Sequence, residues 1–287
     1  MKRLLSAAAI AAAVAGLTHG PARANTTVRL TIETNDVAGG TFNTPVFAAF
    51  TDGSASLFET GTTASTGVEA LAEDGNNAPA ITTFTDAGFV AGQVLGPGFG
   101  AGSPPVFGPG TSASADFTIA GSATRLILGT MVLPTNDWFL GTAGDGLDIS
   151  DLSTAGTLSF ELNRLYDAGT ENEDFNFSAA NGLPAFASFG LPAGQGGPNQ
   201  GPGPAGGVVT FAGTIDEFGA LIDPATGLTV ADPFAAFVDQ PAGFNPPLSS
   251  ITVTLSTVSA IPEPSSLAAL GLLGGVVSLR RRRRRIA

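Results

Sequence analysis

The chain contains no cysteine, one histidine (His19), one tryptophan and one tyrosine, and its only lysine is Lys2. Each scarcity closes off chemistry. Without cysteine there is no disulfide, thiol nucleophile or zinc–thiolate site. His19 lies in an N-terminal segment read below as removed on export, so the body has no histidine for a Ser-His-Asp triad or a metal. It also has no lysine for Schiff-base chemistry. Basic charge is scarcer than the whole-chain figure of −12 implies: residues 25–260 hold Arg29, Arg125 and Arg164 against 23 acidic side chains, leaving the body at −20. Such a surface offers phosphates no attractive field, which excludes nucleic acid as a partner. Carboxylates, hydroxyls and backbone groups remain, and these are hard oxygen ligands.

Both ends read as addresses. Lys2 and Arg3, the alanine-rich apolar run 4–17 and the small-x-small pattern Ala22-Arg23-Ala24 form a secretory signal peptide over residues 1–24, with the mature chain starting at Asn25. At the other end, Ile261-Pro262-Glu263-Pro264 precedes a mainly apolar run, 267–279, and the arginines 280–285. Thirteen helical residues span about 20 Å, short of the roughly 30 Å hydrocarbon core, so residues 265–279 suit transient inner-membrane insertion better than a permanent anchor. The arginine block stays cytoplasmic and places the body on the trans side. Motif, apolar helix and arginine cluster, over residues 260–287, resemble the PEP-CTERM sorting signal. That resemblance implies recognition by exosortase, a membrane protease-transpeptidase of Gram-negative bacteria that make extracellular polysaccharide.

The body, residues 25–259, reads as one domain. Alternation at 28–34 (VRLTIET) and 113–120 (ASADFTIA), and apolar runs at 44–50, 125–133, 157–162, 208–211 and 250–258, predict strands. Segment 125–133 (RLILGTMVL) is apolar enough for a central strand buried on both faces. Residues 62–75 predict one short helix, capped by Thr63 or Ser65 and stopped by Gly75. Gly/Pro-rich loops are expected at 92–110 and 190–207. The fold class is all-β: an antiparallel β-sandwich with long loops, its core supplied by 20 phenylalanines.

Two segments place a carboxylate at a strand end beside an aromatic residue: Leu133-Pro-Thr-Asn-Asp137-Trp138 and Tyr166-Asp167-Ala-Gly-Thr-Glu171-Asn-Glu173-Asp174. Together with Phe58-Glu59-Thr-Gly61 and Leu71-Ala-Glu73-Asp74-Gly75, these blocks resemble the spondin domain, in the family's order across about residues 28–258. The resemblance implies an eight-stranded sandwich akin to calcium-dependent lipid-binding modules, with Ca2+ at one edge. It assigns metal ligation to Asp137, Asp167 and Glu171, the last a glutamate where the family has an aspartate. A divalent cation would relieve the mutual repulsion of three converging carboxylates. The competing reading is that Asp137 and Asp167 merely cap turns. Asp145, Asp148 and Asp151 lack the spacing of an EF-hand and read as a solvated loop. Glu73 and Asp74 are adjacent, point apart and make a poor catalytic pair. Trp138 reads as a loop anchor.

The expected function is a non-enzymatic, calcium-binding surface or matrix protein, processed by exosortase and acting in adhesion or in assembly with extracellular polysaccharide. The alternatives are a structural matrix protein without a specific ligand and a carboxylate-based glycosidase.

Overall fold

Strand β1 (Thr26–Thr34) shows how the body is organised: Val28, Leu30 and Ile32 are fully buried, and their neighbours face out. In the computed structural model, which describes residues 25–99, 103–173, 206–237, 240 and 242–258, β1 pairs antiparallel with β5 (Ser112–Ile119) and β14 (Ile251–Thr257). β9 (Thr157–Leu162) completes a four-stranded sheet in the order β5-β1-β14-β9. The predicted signal and sorting segments, and most of the predicted 190–207 loop, lie outside the described residues. The chain divides into two compact units, Met1–Thr257 and Val258–Ala287, and only the first is described further.

The second sheet is larger. Its central strand is β6 (Arg125–Leu133), flanked by β3 (Val46–Thr51) and β7 (Trp138–Gly141). Beyond β3 lies β4 (Val90–Val94); beyond β7 come β10 (Arg164–Asp167), β11 (Thr210–Ile215), β12 (Leu221–Ile222) and β13 (Thr229–Val230). The short strands β2 (Phe42–Asn43) and β8 (Leu147–Asp148) also pair with β6. Every strand pairing among the described residues is antiparallel.

Alternation along the large sheet builds two apolar layers. Val46, Ala48, Phe50, Leu126, Leu128, Leu140 and Leu165 pack with Val28, Leu30, Val253 and Leu255 of the small sheet, which makes the interior of a sandwich. The intervening residues Phe47, Ala49, Ile127, Phe139 and Tyr166 face the other way, against Val68, Leu71 and Ala72 of α1 (Thr66–Asp74) and Ala80 and Phe84 of α2 (Ala78–Asp86). β6 is therefore covered on both faces, as its unbroken apolar sequence requires.

Helix α1 forms where its local signals lie. The Ser65 hydroxyl accepts the Val68 N–H at 3.3 Å, and Gly75 closes the helix in the left-handed region at φ 62°. The sequence predicts one helix and the described residues hold three, the third being α3 (Leu152–Ala155). α2 escapes propensity because three threonines and Ile81, all β-branched, read against helix (APAITTFTD). Pro79 starts it, and the hydroxyls of Thr82, Thr83 and Thr85 bond back to carbonyls four residues earlier. The predicted loop 92–110 begins inside β4, whose Gly92 and Gln93 conceal a strand that pairs in register with β3.

Candidate metal centre

The pairing of β7 with β10 brings the two aromatic–carboxylate segments together. In that antiparallel register Tyr166 lies opposite Phe139, and Asp167 opposite Trp138. Asp137 immediately precedes Trp138, so residues 30 apart in sequence meet at one strand end. The approach from β6 turns through a cis Leu133–Pro134 bond, and the Trp138 N–H is held by the Thr135 hydroxyl at 3.3 Å.

The segment after β10 wraps around Asp137. Ala168 N–H donates to the Asp137 carbonyl at 3.2 Å. Thr170 N–H and Glu171 N–H both donate to Asp137 Oδ2, at 2.9 and 3.1 Å. Gly169, at φ 64°, permits the reversal, and its N–H donates to Asp167 Oδ1 at 2.6 Å. The Asn136 amide donates to the Asn172 carbonyl, which ties the two loops again. Trp138, stacked beside Phe234 and edge-on to Phe237, donates its indole N–H to Glu173 Oε1 at 3.2 Å.

These bonds converge three carboxylates. Oxygens of Asp137, Asp167 and Glu173 all lie within 4.8 Å of one another. Asp137 is fully buried, and its Oδ1 has no hydrogen-bond partner among the described residues. Burial, then the charge of Asp167, pushes its carboxyl well above the usual carboxylate range, against the opposing effect of the Glu171 N–H. Burial likewise raises Asp167, opposed by hydrogen bonds from Gly169, Glu173 and Thr210. No arginine among the described residues neutralises the group: Arg29 pairs with Asp116, and Arg125 with Asp145 and Asp148. The ligand and turn-cap readings of Asp137 are thus divided between its two oxygens, Oδ2 capping the 168–171 turn and Oδ1 left for another partner.

Two of the three residues expected at the centre, Asp137 and Asp167, come together; Glu171 does not join them, and Glu173 does. Glu171 contributes its backbone N–H to Asp137, while the charge of its buried side chain adds to burial in raising the carboxyl of Glu73 on α1. The stretch Glu171-Asn172-Glu173 offers two glutamates, and spacing alone does not choose between them. The indole N–H of the single tryptophan does.

Residues 41–184 match the Spondin_N family, half of the chain. The chain belongs to the Spondin_N family. In this spondin chain the match spans β2 through β10 and so contains both loops of the acidic centre. No curated protein matches the chain. The Asp145–Asp148 loop of the spondin body is held by an arginine. Asp145 and Asp148 lie 3.0 Å from Arg125, and Asp148 also accepts the Ser150 N–H. Among the described residues no helix is long and apolar enough to cross a membrane.

Proposed function

We propose that this spondin-family chain is an exported, non-enzymatic cell-surface or matrix protein that binds Ca2+ at Asp137, Asp167 and Glu173 and acts in adhesion. The observation that carries the metal reading is the fully buried Asp137 with an unsatisfied Oδ1, set within 4.8 Å of two further carboxylates. An unpaired buried acceptor is costly. A hard divalent cation removes that cost and offsets the repulsion, and an all-oxygen donor set selects Ca2+ or Mg2+ over softer metals. Backbone carbonyls and water complete the six to eight oxygens that Ca2+ takes.

Family membership supports an extracellular, adhesion-type role, and the lysine-free, acidic body suits an exterior rich in divalent ions. The signal peptide and the PEP-CTERM-like tail support export followed by exosortase processing, in association with extracellular polysaccharide. Calorimetric titration of CaCl2 into the purified protein, with MgCl2 in parallel, tests the reading. The expected result is one saturable Ca2+ site that Asp137→Asn combined with Asp167→Asn abolishes. An absence of binding, or binding untouched by the double substitution, refutes it.

A further inference from the structure

Away from the acidic centre, a cavity of about 270 Å³ opens at the other end of the β7–β10 pair. It is lined by Glu161, Asn163, Arg164 and Tyr166, with Gly141 at the end of β7 and Gly146 on the loop that follows. Arg164 stands out. The body has three arginines, and Arg29 and Arg125 are each engaged by aspartates. Among the described residues Arg164 makes no ion pair, although the body carries 23 acidic side chains and Glu161 lines the same cavity. Its guanidinium lies instead over the Phe211 ring, 4.5 Å from the centroid, and its Nε donates to the Tyr166 hydroxyl at 3.0 Å. Stacking and this single bond hold the plane of the guanidinium and leave its terminal N–H groups for a partner.

The other polar groups of the lining suit hydroxyls, beside the apolar Ala143, Leu147 and Leu162. The Asn163 side-chain amide donates to Glu161 Oε2 at 3.3 Å, which fixes the carboxylate as an acceptor and leaves the Asn163 Oδ1 available. A fixed guanidinium fork binds a carboxylate in bidentate fashion. An acceptor carboxylate, an amide and a phenol beside it bind several hydroxyls. A neutral sugar leaves Arg164 without an anion. A phosphate or an acidic peptide side chain meets Arg164 but brings no ring hydroxyls to Glu161 and Asn163. The volume is at the lower end for small-molecule pockets and suits one ring.

We propose that this cavity binds a carboxylate-bearing sugar, a uronate residue of a polysaccharide, with Arg164 on the carboxylate and Glu161 and Asn163 on the hydroxyls. The site is separate from the carboxylate cluster: neighbouring residues of a strand face opposite sides, and Tyr166 belongs to the helix-side layer whereas Trp138, the cross-strand partner of Asp167, belongs to the sandwich interior. It adds a ligand to the adhesion reading without depending on Ca2+.

Calorimetric titration of the purified protein with a glucuronate oligomer in EDTA tests it, since chelation removes any calcium bridge between uronate and protein. Saturable binding is expected, at least tenfold weaker in Arg164→Gln and weaker in Asn163→Ala, a change that leaves the Phe211 stacking intact. A glucose oligomer of equal length, inorganic phosphate and polyglutamate are expected to bind at least tenfold more weakly than the uronate. No uronate binding, binding unchanged in both variants, binding lost in EDTA, or equal affinity for any of the three comparators overturns the proposal.

Discussion

Asp137→Asn separates a metal ligand from a turn cap in one experiment. At 4.8 Å, two unit charges at an effective dielectric of 20 repel by about 3.5 kcal/mol, and Asp137 faces two such neighbours. Burial already favours the protonated form of Asp137, so part of that repulsion is relieved without metal. The neutral amide therefore stabilises the metal-free protein by a smaller amount, roughly 1–3 kcal/mol, because its carbonyl still accepts the Thr170 and Glu171 N–H groups. Calcium reverses the order. At a concentration 100-fold above Kd it adds about 2.7 kcal/mol to the wild type, roughly 5–10 °C in Tm for a domain of this size. It adds almost nothing to the variant, which has lost a charged ligand. Thermal unfolding in EDTA and in CaCl2 reads both terms. The expected pattern is a crossing, with the variant more stable without calcium and the wild type more stable with it. A wild-type midpoint indifferent to calcium, or a variant midpoint that climbs as far as the wild type's, refutes the reasoning.

Trp138→Phe keeps a ring between Phe234 and Phe237 but removes the N–H that holds Glu173; calcium Kd from calorimetry is expected to rise roughly tenfold, and an unchanged Kd excludes Glu173 as an oriented ligand. Gly75→Ala forces a left-handed residue and drives its Cβ to 2.4 Å from Thr44 Cγ2; the cost is roughly 2–4 kcal/mol, read from the urea midpoint. Burial raises Glu73 to about 7 from its ordinary 4.5. Its folded pKa lies above the unfolded one, so its contribution is complete below about pH 4.5 and is lost as pH rises through 7. Glu73→Gln is expected to flatten the fall in stability between pH 5 and 8, by roughly 1–2 kcal/mol once solvent screening at the helix end is allowed for. An identical pH profile in the variant would show that Glu73 carries no such load.

Features that depend on neighbours in sequence could be read without the fold. Ser65 and Gly75 bracket α1 because a cap bonds within one turn, and β6 announces itself because burial on both faces demands an unbroken apolar run. The proposed export and sorting segments are read by the same local logic. The absence of cysteine, body histidine and body lysine limits any site to oxygen chemistry whatever the fold. β7 and β10 carry little local signal, being four residues each and depending on their partner strands. Pairing across that register is what sets Asp137 beside Asp167.

The choice between Glu171 and Glu173 belongs wholly to the tertiary structure. Asp137 takes the backbone N–H of Glu171, which turns that side chain toward Glu73, while the indole of Trp138 draws Glu173 into the cluster. Both glutamates carry the same charge two residues apart, so composition cannot rank them; only the direction each side chain takes from a folded backbone does. The same holds for Arg164. In sequence it is one of three arginines in an acidic body, and its lack of an ionic partner among the described residues exists only once β10 and β11 set it over Phe211.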